Sequence, residues 1–199
     1  MTNLTSYHTQ EFFQSVKNSF DVDVSKYVSN KQIISIMDEK VADNVALIKD
    51  IPIELEDQIK EVVSDAVTEF GVDRQILQGN LDKILTDKFR GRFRVAKTRA
   101  KLIARDQTSK ITSTLTEARH KQIGVSKYTW LGVGDSRERS NHVEKNNKVF
   151  AYSSPPGDTG NPGQDYQCRC VAVAVIDSSV IAFVTGIQKM QENSKGNEK

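Results

Sequence analysis

The spacing of apolar residues changes once along this chain, at Gly124, and that change constrains the fold more than any other feature of the sequence. Before Gly124, apolar residues recur at three- and four-residue steps, which is the repeat of amphipathic helices. After Gly124, short apolar runs are separated by Gly, Pro, Asn and Asp, which is typical of strands joined by turns. The sequence therefore predicts an α+β protein: an N-terminal helical bundle, a long connecting helix and a small C-terminal α+β module.

Three successive helices are predicted in the first half of the chain. The first spans residues 30–49. The second starts near Pro52 and stops at Gly71, and the third follows Asp73, its expected N-cap. Together they are expected to form an antiparallel bundle. A weaker apolar face indicates a short helix nearer the start, formed by Phe12, Phe13, Val16 and Phe20.

The fourth predicted helix is the longest, from about Phe89 to Gly124, and one of its faces is basic. At about 100° per residue, five basic residues share one narrow stripe: Arg90, Arg94, Lys97, Lys101 and Arg105. Such a stripe can neutralise the phosphates of double-stranded DNA without reading its sequence; the alternative is a solvated helix face. Arg99 falls on the opposite, packed side, where a buried cation needs a partner such as Asp106. We therefore expect Arg99 and Asp106 to brace the structure.

Charge is segregated along the chain although the net charge is only +2. Residues 1–87 carry 8 basic and 16 acidic side chains, a net charge of −8, whereas residues 88–110 carry 9 basic and one acidic, a net charge of +8. This asymmetry indicates either surfaces with different partners or two segments that neutralise each other. No stretch approaches the roughly 20 apolar residues of a membrane helix, and the start is polar, so we expect no membrane partner.

The part after Gly124 is predicted to hold three strands, within 128–131, 148–152 and 170–175. We expect the chain to divide into a helical region, 1–88, and a second module, 89–178, in which the long helix (89–124) precedes the small α+β part (125–178). Residues 179–199 are expected to form a tail that is polar and frayed from about Gln188.

Two cysteines one residue apart, Cys168 and Cys170, point to the same side of a strand, which makes a disulfide between them awkward. Zn²⁺ takes about four thiolate, imidazole or carboxylate ligands, and Asp135 and His142 would complete such a set. The spacing matches no common zinc finger, however, and two cysteines can equally be small apolar core residues. Both interpretations stay open at this point.

Several short motifs follow one another in a specific order between residues 95 and 176. They are Leu102-Ile103-Ala104-Arg105-Asp106-Gln107, Gly124, Tyr128-Thr129-Trp130, the run from Asp135 to His142, Pro155-Pro156, Pro162-Gly163 and Cys168-Arg169-Cys170. This order resembles the head-morphogenesis family named after the F protein of phage Mu. The resemblance implies a minor head (capsid) protein of a tailed phage or prophage, associated with the portal and involved in capsid assembly and in packaging or delivery of DNA. It also implies a location in the virion, at the head interior or portal, and in the host cytoplasm during assembly.

Two features of this chain depart from the family. The loop after the histidine commonly holds a glycine, where this chain has Asn147, a residue that tolerates the left-handed backbone region. The helical half is also short for the family, which fits a shortened version of a longer protein.

The alternative function is a nuclease or toxin-like enzyme that uses Asp135, Arg137, Arg139 and His142. A histidine base beside arginines that stabilise a phosphoryl transition state is chemically adequate. The same residue types also brace the loops of a small domain, however, and the α+β part (125–178) has a single histidine, since His120 lies near the end of the long helix. We therefore expect Arg137 and Arg139 to be bracing residues and the protein not to be an enzyme.

Overall fold

The computed structural model describes residues 4–25, 30–46, 48, 53–66, 73–88 and 93–196. In these ranges the chain forms an α+β fold, as predicted, and no helix there is both long and apolar enough to cross a membrane. The elements in chain order are α1 (Leu4–Phe20), α2 (Asn30–Ala46), α3 (Ile53–Asp65), α4 (Arg74–Lys88), α5 (Phe93–Gln122), β1 (Lys127–Leu131), α6 (Ser140–Val143), β2 (Val149–Ala151), β3 (Val171–Ala174) and α7 (Ser178–Gly196).

Helices α2 to α5 share the first of two hydrophobic cores. Their positions confirm the helices predicted from the apolar repeat, although α2 ends at Ala46 rather than at residue 49. Asp73 caps α4 as predicted, because its Oδ1 accepts hydrogen bonds from the backbone N–H of Gln75 at 2.6 Å and of Ile76 at 3.1 Å. The predicted stop at Gly71 and the first residues of the fourth helix lie outside the described residues.

The second core lies against one face of a three-stranded antiparallel sheet of order β2-β1-β3. Alternation along β1 points Tyr128 and Trp130 inward, where both are fully buried, and leaves Leu131 exposed on the outer face. The same core holds Val16 of α1 and the two cysteines. The predicted domain boundaries stay a prediction, but this packing brings the start of the chain onto the C-terminal module.

Helix α7 corrects the prediction of a tail over residues 179–199. The segment Ser178–Gly196 is helical and buries Val180, Val184 and Ile187 in the second core. These three residues stand at four- and three-residue steps, so the helical repeat was present in the sequence. The residues from Gln188 onward are mostly polar, and this favoured the prediction of a frayed tail over that of a helix.

A row of hydrogen bonds, here called the α5 seam, joins α5 to the loop between β2 and β3. Side chains on both sides take part over four turns of the helix, so α5 and the C-terminal module form one packed unit. The seam consists of Gln167 Nε2 donating to Leu102 O (2.6 Å), Ser109 Oγ to Cys168 O (2.5 Å), Ser113 Oγ to Pro162 O (2.5 Å), Gln164 Nε2 to Thr114 Oγ1 (3.2 Å) and Asn161 Nδ2 to Glu117 Oε2 (2.9 Å).

Two backbone conformations expected from the sequence are confirmed. Gly124, predicted to cap the fourth helix, has a φ of 84°, and Asn147, predicted to replace a turn glycine, has a φ of 61°. The N–H of Asn147 donates to the carbonyl of Trp130 at 2.8 Å, so this turn is tied to the central strand.

His120, near the end of α5, makes stability depend on pH. Burial lowers its pKa from 6.5 to about 4, partly opposed by Glu117, and its Nδ1 lies 2.7 Å from the Tyr152 hydroxyl. The unfolded chain therefore takes up a proton as the pH falls through 6.5, whereas the folded protein resists protonation down to about pH 4. We expect the free energy of unfolding to drop by about 2 kcal/mol between pH 7 and pH 5 from this group.

Urea unfolding of the wild type and of His120→Phe at both pH values isolates this contribution. The wild type should lose about 2 kcal/mol more than the variant, because phenylalanine cannot titrate. Equal losses in the two proteins would show that the histidine is protonated in the folded state.

Candidate functional site

The structure brings His142, Cys168 and Cys170 together under the sheet. Their ligand atoms all lie within 4.8 Å of one another, with His142 Nδ1 3.3 Å from Cys170 Sγ and 3.5 Å from Cys168 Sγ. All three side chains are buried. The short helix α6 carries His142 to this position, and the two cysteines stand at the end of the seam loop and immediately before β3.

Asp165 fixes the orientation of the His142 ring. Its Oδ2 lies 2.9 Å from His142 Nε2 and 2.7 Å from Arg139 Nη2. His142 Nε2 also lies 3.3 Å from Arg139 Nε and 3.1 Å from Arg139 Nη2. The tautomer with its proton on Nε2 donates to the Asp165 carboxylate and leaves the Nδ1 lone pair facing the sulfurs, whereas the other tautomer accepts from Arg139 at Nε2. Trp130 closes one side of the ring in an edge-on contact, with ring centroids 5.5 Å apart.

The two thiols have different environments. Hydrogen bonds from the Cys170 thiol and from the backbone N–H groups of Cys170 and Gly163 lower the pKa of Cys168 to about 6, against the effect of burial. The bond to Cys168 and burial both raise the pKa of Cys170. Cys168 is therefore the sulfur better prepared to be a thiolate.

Asp135, one of the four predicted zinc ligands, is not in this cluster. Its two carboxylate oxygens accept hydrogen bonds from Arg169, at 2.6 and 2.7 Å, and Arg137 adds a third at 3.1 Å. These bonds hold the pKa of Asp135 far below its usual range. Sequence reasoning missed this pairing because Arg169 lies 34 positions away and was not considered as a partner.

Three residues near the cluster were given no role from the sequence. Asp165 orients His142, Trp130 packs on its ring, and Glu138 Oε1 lies 3.6 Å from Cys170 Sγ. The sequence offered one signal for Glu138, which is that it lies only four residues before His142. Nothing there indicated that the intervening loop would turn its carboxylate inward.

Contacts can be described for Arg139 and Asp106, two of the predicted bracing residues. Arg139 links Asp165 with the carbonyl of Tyr166, at 2.7 and 2.9 Å. The cation shown beside Asp106 is the buried Lys110, with Nζ 2.9 Å from Asp106 Oδ2. Arg99 is half-buried, and its pairing with Asp106 stays a prediction. Lys110 stands one helical turn from Asp106, whereas Arg99 stands two turns away.

Only part of the predicted basic stripe can be described. Lys97 and Lys101 are exposed on α5, while Arg105 is half-buried and donates to Gln167 Oε1 in the seam. Arg90 lies outside the described residues, and the side chain of Arg94 is not among those described.

The residues of the nuclease hypothesis do not share one open site. Asp135 is held by Arg137 and Arg169, while His142 is 2% exposed and faces Asp165 and the cysteines. A general base has to come within hydrogen-bond reach of the proton it removes, and the cavity that His142 lines with Arg137 and Arg139, of about 30 Å³, is too small for a phosphodiester. What the cluster offers instead is a set of soft ligands facing one point.

Comparisons with known proteins place this site inside a matched region. Residues 57–173 match the family described as phage Mu protein F like protein. An uncharacterized protein of Haemophilus influenzae is 36% identical over 173 residues, which is 85% of this chain but 36% of that protein. The chain thus spans about a third of the length of this curated relative. No solved structure matches the chain.

Proposed function

Because the chain belongs to the phage Mu protein F like family, we propose that it is a minor head protein of a tailed phage or prophage. The family match itself carries this proposal. It spans α3 to β3 and so includes the α5 seam and the whole cluster around His142. The protein would act during assembly in the host cytoplasm and remain in the particle.

We further propose contact with the portal or the head interior. Two properties of the fold support a role in assembly rather than catalysis. The polar residues of the C-terminal module are used in bonds between loops, as at Arg139 and Asp165. The histidine is enclosed by protein. Among the described residues, nothing favours the nuclease hypothesis over bracing.

Analysis of purified heads tests the assembly role. Heads from an induced lysogen should contain peptides from residues 57–173 after density-gradient purification, and the portal protein of the same phage should be recovered with them. Mass spectrometry identifies both. If peptides of this chain stay in the soluble fraction while portal peptides sediment with heads, the assembly role fails.

Non-specific contact with packaged DNA is the second part of the proposal, and it depends on the exposed lysines of α5. Lys97 and Lys101 stand one helical turn apart on the same face. Each phosphate that a lysine neutralises releases condensed counterions, so affinity should fall steeply with salt.

Charge reversal of the two lysines tests the DNA contact. We expect Lys97→Glu with Lys101→Glu to weaken binding to double-stranded DNA by about tenfold or more and to reduce the salt slope by about 2. The exposed residues Lys127 and Lys189 provide the matched control, because reversing them changes the net charge equally. Equal weakening in both variants would mean that only net charge matters and that α5 has no DNA surface.

A further inference from the structure

We propose that His142, Cys168 and Cys170 bind one Zn²⁺ ion and that Glu138 supplies the fourth ligand. This site goes beyond the assembly role and is independent of it. The function of the ion would be structural, since it would connect the loop before α6 to the end of the seam loop.

The spacing of the three ligand atoms fits a tetrahedral zinc centre. Bond lengths of about 2.3 Å to sulfur and about 2.0–2.1 Å to nitrogen give a nitrogen-to-sulfur separation of roughly 3.6 Å in a tetrahedron. His142 Nδ1 lies 3.3 and 3.5 Å from the two sulfurs. The ion therefore needs only small side-chain adjustments.

The orientation of His142 is that of a metal ligand. A ligating histidine usually donates its other ring N–H to a carboxylate, which fixes the tautomer and raises the basicity of the ligand. Asp165 occupies that position on Nε2, and Arg139 in turn holds Asp165. The other ring nitrogen, Nδ1, is the one that faces the two sulfurs.

The surroundings of the sulfurs are suited to thiolates. Backbone N–H groups of Gly163 and Cys170 donate to Cys168 Sγ, at 3.3 and 3.4 Å. The indole N–H of Trp130 is buried in the same core as the two cysteines and has no hydrogen-bond partner in the described part of the chain. A buried polar group of this kind needs an acceptor, and a metal-bound thiolate is a stronger acceptor than a thiol.

Glu138 is the carboxylate best placed to complete the site. Its Oε1 lies 3.6 Å from Cys170 Sγ, and it borders a cavity of about 30 Å³ together with His142, Cys168 and Cys170. Its Oε2 accepts the backbone N–H of exposed Gly134 at 2.7 Å, so binding the ion through a rotated side chain would exchange this exposed bond. Asp135 cannot do this without giving up Arg169.

A cysteine–histidine nucleophile would use some of the same geometry, with Asp165 orienting the base. The two cysteines, however, are only 3% and 5% exposed, and the cavity of about 30 Å³ that they share with His142 holds little more than one water molecule. This cavity is too small to admit an acyl substrate to Cys168 or Cys170. A second cavity, of about 200 Å³, also borders the two cysteines, but His142 does not line it. The arrangement therefore favours an ion over a substrate.

Metal analysis of the full chain, purified without chelator, tests the proposal. We expect about one equivalent of zinc, lost in Cys168→Ser and in His142→Ala but retained in Asp135→Asn. Glu138→Gln should bind zinc at least tenfold more weakly than the wild type. Full retention in Glu138→Gln together with loss in Asp135→Asn would overturn the assignment of the fourth ligand.

Two measurements on the wild type avoid the problem of variants that fail to fold. Co²⁺ added to the chelator-treated protein should give thiolate-to-metal charge transfer and the strong visible bands of tetrahedral cobalt, and Zn²⁺ should abolish them. Zn²⁺ should also raise the Tm. The absence of both the zinc and the cobalt spectrum would overturn the proposal. So would rapid alkylation of one cysteine that zinc does not prevent, which would indicate a nucleophile.

Gly132→Ala probes the fourth ligand without removing any ligand. A Cβ at Gly132 would overlap the Glu138 carboxylate, whose flexible side chain can move away at little cost in stability. We expect zinc affinity to fall about tenfold with an unchanged fold. Gly157→Ala is the control, because its Cβ would meet nothing within 4 Å. Identical affinities in the two variants would show that Glu138 does not bind the ion from its position beside Gly132.

Discussion

Replacement of Asp106 by alanine is expected to destabilise the protein by about 4 kcal/mol. Asp106 and Lys110 form an ion pair at 2.9 Å with side chains that are 8% and 9% exposed. Asp106 Oδ1 also accepts the backbone N–H of Gln167 at 2.7 Å. The substitution leaves the buried ammonium group of Lys110 and the backbone N–H of Gln167 without this acceptor. Both groups gave up water on folding, so losing their protein partner destabilises the folded state.

The exposed pair Asp43 and Lys40 provides the control. Its oxygen and nitrogen are 3.0 Å apart, but the side chains are 58% and 44% exposed, so Asp43→Ala should cost less than about 1 kcal/mol. Urea unfolding measures both. The double substitution Asp106→Leu with Lys110→Met should recover more than half of the loss, because it removes the stranded charge. If Asp106→Ala costs no more than Asp43→Ala, the pair is solvated and does not hold the seam loop.

Substitution of Gly163 by alanine is expected to cost about 3 kcal/mol, from two separate causes. Gly163 has a φ of 89°, which is strained for any residue with a Cβ. That Cβ would also lie 2.8 Å from Ser113 Cβ and 3.1 Å from the Ser109 carbonyl oxygen, so the seam loop would have to move off α5. Both neighbours are fixed parts of the helix.

Gly134 separates the two causes. Its φ of 73° is similarly positive, but a Cβ there would meet nothing within 4 Å. Gly134→Ala should therefore cost only the backbone strain, about 1 kcal/mol. Denaturant unfolding of both variants gives the difference, which is the cost of the clash with α5. Equal losses of unfolding free energy for the two substitutions would show that the seam loop moves away from α5 without cost. The close approach of Gly163 to α5 would then contribute nothing to stability.

The parts of the fold that the sequence predicted well are those in which the cause is local. The repeat of apolar residues determined α2 to α5, Asp73 capped α4, and Gly124 and Asn147 took the positive φ values that their side chains allow. Each of these depends on residues within a few positions of one another. The same local repeat would have revealed α7.

The candidate site was predicted less completely because its contacts join distant segments. The sequence identified His142 and the two cysteines by residue type, and the structure groups them. It could not show that Asp135 would be taken by Arg169, or that Asp165 would reach His142, 23 positions earlier. These two contacts depend on how the loops cross α5, and residues close together in the sequence do not determine that path.

The α5 seam has a mechanical consequence. Helix α5 has 30 residues and a length of about 45 Å, with the first core on one side and the seam loop on the other. Gly124 follows the end of α5, and a bend there would have to break the seam bonds that tie the helix to the loop between β2 and β3. A force on α2 to α4 would therefore displace the sheet together with α5.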